Sequence, residues 1–150
     1  MKTNLHLSYS TNVHPAESLA DLDRSLRFYC DGLGFELAER FDFDSDQVPG
    51  VDRSLEVAGP VRFVSQMLVN GPMRVELLHY PERAAQGTPS ASRGLLGLTH
   101  LSFRVDKVDE TAARLVDYGG TILEHTRADV GIVLLFLTDP DGTRVELMGG

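Results

Sequence analysis

RVEL stands at residues 74–77 and again, letter for letter, at residues 144–147. A similar histidine-led segment precedes each copy: HLSYSTN at residues 6–12 and HLSFRVD at residues 100–106. Self-similarity of this kind predicts two copies of one supersecondary unit whose ends are alike. The first copy is the longer one, so the units share their first and last segments but not their middles.

Each copy predicts the element order βαβββ. The histidine-led segments are short and alternate polar with apolar residues, which is typical of strands with one wet face. A helix follows in each copy, marked by apolar residues at helical spacing: Leu22, Leu26, Tyr29 and Leu33 in the first, and Val108, Ala112, Leu115 and Tyr118 in the second. Ser18 or Asp21 is available to cap the first helix. Three strands then complete each unit, around residues 36–41, 62–69 and 73–80, and around 121–127, 132–138 and 143–148.

Two segments account for the extra length of the first copy. They are VHPAES at residues 13–18 and the acidic stretch at residues 41–60, and both are predicted as loops. The second is interpreted either as a lid over a site or as a solvated loop. His14, in the first loop, is expected to point into solvent, with a contact to the site as the alternative.

The predicted fold class is α+β, with two βαβββ modules forming a cupped, mixed or antiparallel sheet. Residues 1–150 are expected to form one domain, because the chain is too short for two independent cores. Residues 1–80 are the first module, residues 81–97 a linker rich in Pro, Gly, Ser and Ala, and residues 98–150 the second module.

Composition excludes several classes of function. The 14 Lys and Arg residues are outnumbered by 22 Asp and Glu residues, and the net charge of -8 with no basic run argues against nucleic acid. The longest apolar stretch, residues 132–137, is too short for a membrane span, and the N-terminus lacks the apolar core of a signal peptide. We expect a cytoplasmic protein.

The repeated pair of His and Glu predicts a metal site. Side chains two residues apart share one face of a strand. The glutamate of each RVEL therefore lies on one face, and the neighbouring valine and leucine lie on the other. Placing carboxylates and imidazoles on a sheltered face costs free energy, because they lose their contacts with water. A divalent cation that binds all of them offsets this cost most simply. The predicted ligands are His6, Glu76, His100 and Glu146. Their donor atoms accept zinc, nickel, cobalt, manganese or iron.

The chain resembles the vicinal oxygen chelate superfamily, the fold of glyoxalases, bleomycin-resistance proteins and extradiol dioxygenases. The resemblance is carried by SLADLDRSLRFYCDGLGFEL at residues 18–37, GLTHLSFRVDKVDETAARLVDYGG at residues 97–120 and LTDPDGTRVELMGG at residues 137–150. It implies ligands on the first and last strands of each unit, which matches His6, Glu76, His100 and Glu146. A set of two His and two Glu is similar to that of the glyoxalase I and methylmalonyl-CoA epimerase branch.

That branch implies proton transfer next to a carbonyl, by an isomerase, epimerase or lyase acting on a small oxygenated metabolite, thioester or hemithioacetal. Glu146 and Glu76 are the candidate bases, with Glu146 preferred. Two alternatives remain open: an iron(II) dioxygenase of the extradiol type, and a non-catalytic ligand-binding protein of the bleomycin-resistance type. By analogy with relatives, a homodimer is expected.

Overall fold

The computed structural model describes residues 14–150, and it confirms an α+β fold of two βαβββ modules. The first module comprises β1 Ala16–Leu19, α1 Leu22–Leu26, β2 Glu36–Asp44, α2 Val51–Ser54, β3 Arg62–Asn70 and β4 Met73–His79. The second comprises β5 Leu101–Arg104, α3 Val108–Asp117, β6 Thr121–Ile122, β7 Ala128–Asp129, β8 Val133–Thr138 and β9 Arg144–Gly149. No helix among the described residues has the length and hydropathy of a membrane span.

The two predicted helices form where the apolar stripes place them. Asp21 caps α1, because its Oδ1 accepts the Arg24 N–H at 2.9 Å. The helix continues as a π-helical segment over Arg27–Gly32, and the chain leaves it at Gly34, whose φ of 77° is a left-handed conformation that glycine adopts readily. Val108, Ala112 and Leu115 of α3 are buried, as their spacing predicts.

The prediction of a loop over residues 13–18 is wrong in part. Residues 13–18, predicted as a loop, contain the start of β1 at Ala16. The predicted HLS strand at residues 6–8 lies outside the described residues. The prediction of a loop over residues 41–60 is also wrong at its start, because β2 continues to Asp44 while Phe43 stacks on Phe63 with ring centroids 4.7 Å apart.

In the second module, the predicted strand over residues 121–127 is interrupted. Only Thr121–Ile122 pairs with β8 there, and a 3-10 turn follows at Glu124–Thr126. The Thr126 hydroxyl oxygen accepts the Phe136 N–H at 2.9 Å. A side chain thus replaces a strand carbonyl in the ladder, which an apolar pattern does not reveal.

The first and last strands of each module lie side by side. The strand order is β1-β4-β3-β2 in one sheet and β5-β9-β8-β6 in the other, with β7 also on β8. Strand β1 runs parallel to β4, and β5 runs parallel to β9. The histidine-led end of each module is therefore adjacent to the strand that carries RVEL.

Both sheets use one face to build a single hydrophobic core. Val75 and Leu77 of β4 and Val145 and Leu147 of β9 are at most 1% exposed, and they belong to the same buried cluster. Phe35 of the first module contacts Phe103 of the second within it, with centroids 5.8 Å apart. The other face of each sheet, which points away from this core, is called the open face below. Strand alternation places the RVEL glutamates on the open faces.

A buried carboxylate pair joins the two modules. The hydroxyl of Tyr29 lies 2.8 Å from Oε2 of Glu17 and 3.1 Å from Oδ2 of Asp139. Burial, and then the charge of Asp139, raise the pKa of Glu17 to about 7. Asp139 also accepts the backbone N–H groups of Asp141 and Thr143 through its Oδ1, so it is well supplied with donors. Oε1 of Glu17 is buried and makes no hydrogen bond within the described residues. Burial in this cluster therefore favours the protonated form of Glu17.

We predict that Glu17→Gln removes a pH-dependent part of the stability. The folded-state pKa of about 7 exceeds the ordinary value of 4.5, so folding binds a proton between these values. Its contribution is complete below about pH 4.5 and is lost as the pH rises through 7. The native free energy of unfolding should fall by about 3 kcal/mol over this range through Glu17 alone. Urea denaturation from pH 4.5 to 8 measures it, and the Glu17→Gln variant should show a flatter profile.

The exposed Glu36→Gln exchange on β2 is the matched control, and it should leave the native pH profile unchanged. If the free energy of unfolding of Glu17→Gln changed with pH as steeply as that of the unmodified protein, Glu17 would not be the source of the pH dependence.

Candidate metal centre

Glu76 lies on the open face of the first sheet with a histidine against it. His14 precedes β1, and the parallel pairing of β1 with β4 sets Ala16 beside Glu76. Atom Nε2 of His14 lies 3.0 Å from Oε2 of Glu76. The two side chains are 24% and 21% exposed, so the contact is sheltered but reachable from the open face.

The second module repeats this arrangement. His100 directly precedes β5, and the pairing of β5 with β9 sets Ser102 beside Glu146. Atom Nε2 of His100 lies 3.5 Å from Oε2 of Glu146. Ala16 and Ser102 hold equivalent positions in the two sheets, each two residues after a histidine. His14 is therefore the structural counterpart of His100.

This finding corrects the interpretation of His14. The expectation that it points into solvent is wrong, because its ring contacts Glu76 on the open face. The predicted counterpart of His100 in the first module, His6, lies outside the described residues. The structure thus adds a histidine that sequence reasoning did not include in the predicted ligand set.

A signal for His14 is present in the sequence. Helix α1 begins at Leu22, eight positions after His14, and α3 begins at Val108, eight positions after His100. The likeness of the HLS letters favours His6, which lies twice as far from the same helix. The distance to the helix is the better guide, because the strand and its turn must span the same path in both modules.

Serine hydroxyls orient both glutamates. Ser65 Oγ donates to Oε1 of Glu76 at 2.5 Å, and Ser102 Oγ donates to Oε2 of Glu146 at 2.7 Å. The two serines come from different strands, since Ser65 lies on β3 and Ser102 on β5. Hydrogen bonds of this kind fix the carboxylates in place and leave the remaining oxygen lone pairs for other partners.

The ring of His100 is held from two sides. Its Nδ1 lies 2.8 Å from Oγ1 of Thr99. Its ring packs against that of Phe136 with the two planes at 82° and the centroids 5.1 Å apart. A donor role for Nδ1 toward Thr99 leaves Nε2 as an acceptor on the side of Glu146. That tautomer is the one a metal ligand needs.

The predicted ligands that the structure describes do not converge within one chain. Across residues 14–150, no three His, Cys, Asp or Glu side chains lie close enough to hold one ion. Glu76, His100 and Glu146, which were expected to meet at one point, stay apart as members of two separate pairs. The reason is the shared core, because both sheets turn their glutamate faces away from it. Each module therefore brings one His and one Glu together on its open face.

The donor atoms of each half fit a divalent cation. Adjacent ligands of an octahedral ion, each about 2.1 Å from the metal, lie about 3.0 Å apart. The imidazole and carboxylate atoms are 3.0 Å apart in the first pair and 3.5 Å in the second. Imidazole nitrogen together with carboxylate oxygen suits zinc, nickel, cobalt, manganese and iron. His14, Glu76, His100 and Glu146 are the described residues that could hold such an ion.

Comparison with known families decides the classification. The family model of the Glyoxalase/Bleomycin resistance protein/Dioxygenase superfamily matches residues 14–147. The chain belongs to this superfamily. The match begins at His14, so the matched region contains both His and Glu pairs that the structure assembles.

Two curated relatives of this superfamily member carry different activities in their names. A probable lactoylglutathione lyase from Synechocystis is 28% identical over 138 residues, which cover 91% of this chain and 92% of that protein. A catechol-2,3-dioxygenase from Bacillus subtilis is 27% identical over 135 residues, covering 87% of this chain but only 38% of that protein. A solved glyoxalase family protein from Bacillus cereus shares the fold, with a TM-score of 0.76 and 21% identity over 99% of this chain and 97% of that one.

Proposed function

We propose that this superfamily member is a divalent-metal-dependent enzyme that moves a proton next to a carbonyl group. The observation that carries the proposal is the repeated contact of His with Glu on the open face of each sheet. The substrate class would be a small oxygenated metabolite, a thioester or a hemithioacetal. The name of the Synechocystis relative supports the hemithioacetal as the first substrate to test.

We further propose that two copies of the chain complete the site. One His and one Glu are too few to hold a catalytic ion, which usually takes three or more protein ligands. The open faces also carry partly exposed apolar side chains, such as Met67 on the first sheet and Leu134 and Met148 on the second. In a twofold dimer, the first-module face of one subunit covers the second-module face of the other, which forms two equal sites. Each site then has His14 and Glu76 from one copy and His100 and Glu146 from the second copy.

A bound divalent ion would act as a Lewis acid on the substrate oxygens and thereby acidify the adjacent C–H. The chain itself must supply the base. Glu76 engages both oxygens, since Ser65 donates to Oε1 and His14 contacts Oε2. Glu146 engages Oε2 alone, with Ser102 and His100, and no described residue donates to its Oε1. This open Oε1 supports Glu146 as the group that accepts the proton.

We predict that metal binding requires His14 and not His6. Replacing His14 with Ala removes one nitrogen donor of the first pair, so cobalt(II) affinity should fall by at least about tenfold. Isothermal titration of metal-free protein with cobalt(II) measures the affinity. His6→Ala is the matched control and should retain native affinity. The reverse pattern, with loss only in His6→Ala, would restore the ligand set expected from the repeated letters.

A complementation experiment tests the shared site. The double variants His14→Ala/Glu76→Ala and His100→Ala/Glu146→Ala should each bind little cobalt(II), because each has half a ligand set in every site. Mixing them by unfolding and refolding together should regenerate one complete site in each mixed dimer. We therefore expect metal binding near one ion per mixed dimer, measured by titration. If the unmodified protein bound cobalt(II) at full affinity while sedimenting as a monomer, the proposal of a shared site would be contradicted.

Glu146→Gln should strongly slow proton transfer, because the amide cannot act as the base, while its oxygen still offers a donor atom to the ion. General base catalysis contributes about 10²- to 10⁴-fold, so turnover of the methylglyoxal–glutathione hemithioacetal should fall by at least about 10². Exposed Glu110→Gln on α3 is the control and should keep native turnover. Native turnover by Glu146→Gln would exclude Glu146 as the base. Oxygen uptake with catechol in iron-loaded native protein would instead favour the dioxygenase alternative.

A further inference from the structure

The repeated RVEL places an arginine beside each glutamate as well. Arg74 and Arg144 each lie two residues before a glutamate, so they share its open face at about 6.5 Å along the strand. We propose that Arg144 binds a carboxylate of the substrate and that Arg74 does not. The proposal rests on the proposed function, since it names the class of substrate for the same site. The two arginines differ in what surrounds them.

Arg74 is already neutralised within its own sheet. Its Nη2 donates to Oε2 of Glu39 at 2.7 Å, and its side chain is 21% exposed. An arginine whose charge is met by a neighbouring carboxylate attracts a second anion only weakly. The first-module side of the site is therefore close to neutral at this position.

Arg144 has no such partner among residues 14–150. Across the described residues, no carboxylate oxygen lies within 4 Å of its guanidinium, whereas five other arginines there form ion pairs: Arg24, Arg40, Arg62, Arg74 and Arg127. Its Cζ lies 5.9 Å from the ring centroid of Phe136, at a distance typical of a cation over an aromatic face. It is half-buried on the open face, and its charge is met by no carboxylate of the described chain.

Phe136 ties this arginine to the metal-side pair. The same ring packs in a T-shaped contact with the ring of His100, with centroids 5.1 Å apart. Phe136 also pairs with Glu146 across the strand ladder. Arg144, Phe136, His100 and Glu146 thus form one contiguous patch. A molecule bound at His100 and Glu146 would lie within reach of the guanidinium.

The net charge of the whole protein makes a local cation important for binding an anion. At a net charge of -8, the chain repels anions at long range, so an anionic substrate needs a local cation to bind. A guanidinium matches a carboxylate with two parallel hydrogen bonds. The substrate class is therefore a compound with adjacent oxygens for the ion and one carboxylate on the second-module side.

A matched set of chelating probes tests this assignment. We would titrate cobalt(II)-loaded native dimer with 3,4-dihydroxybenzoate and with the neutral 3,4-dihydroxybenzamide, and follow the cobalt absorption bands. Both present adjacent oxygens, and only the first carries the carboxylate. The benzoate should bind at least about tenfold more tightly, because a charge-assisted pair is stronger than a neutral contact. In Arg144→Gln the two affinities should agree within about twofold.

Two further variants make the result specific. Arg74→Gln should keep the native preference, and Arg144→Lys should keep part of it because the charge remains without the bidentate geometry. Equal binding of both probes by native protein, or a full preference in Arg144→Gln, would overturn the proposal. The proposal would also be overturned if Arg74→Gln and Arg144→Gln lost the preference for 3,4-dihydroxybenzoate to the same extent.

A metal-free measurement separates this proposal from the proposed function. Titration of benzoate into metal-free protein should shift the Arg144 Nε–H signal in a nitrogen-15 spectrum, and benzamide should not. If the protein binds no ion but benzoate shifts Arg144, the anion site stands and the metal enzyme fails. If the ion binds but benzoate moves no arginine signal, the metal enzyme stands and the anion site fails.

Discussion

Burial of alternate residues on β4 and β9 is the constraint on which this structure depends. Val75, Leu77, Val145 and Leu147 enter one core, and a shift of either strand by one residue would carry a glutamate into it. Burying an unpaired carboxylate costs far more free energy than burying a leucine side chain contributes. Only one register of these strands is therefore stable. The same alternation that builds the core therefore presents the glutamates on the open faces.

Parallel pairing of the first and last strands adds the second element of the site. It brings the histidine-led end of each module beside the glutamate strand, so the contact of His14 with Glu76 and that of His100 with Glu146 follow from one topology used twice. The serines that hold the two glutamates come from different strands. The module thus repeats its contact of His with Glu more strictly than it repeats the hydrogen bonds that support the glutamates.

Joining the modules through their inner faces has an electrostatic consequence. Polar groups at the joint, above all Glu17, Tyr29 and Asp139, are taken out of water along with the apolar core. Burial and the two carboxylates raise the pKa of the Tyr29 hydroxyl well above its ordinary value, so it remains a donor at physiological pH. The outer faces stay accessible for the same reason that the inner ones do not. The two pairs of His and Glu, and the guanidinium of Arg144, thereby stay on the faces that point away from the core.

The sequence by itself determined the two modules, the helices at Leu22 and Val108 and the strands that carry Glu76 and Glu146, because repeats, apolar spacing and turn residues are local signals. It also indicated the superfamily. Only the tertiary structure decided that His14 contacts Glu76, since β1 gains its position from hydrogen bonds to β4, which lies about sixty residues further along the chain. The tertiary structure alone also decided that the two pairs remain separate. Long-range packing determines which faces of the two sheets share a core. The alternation of apolar residues shows that one face of a strand is buried, but not which element packs against it.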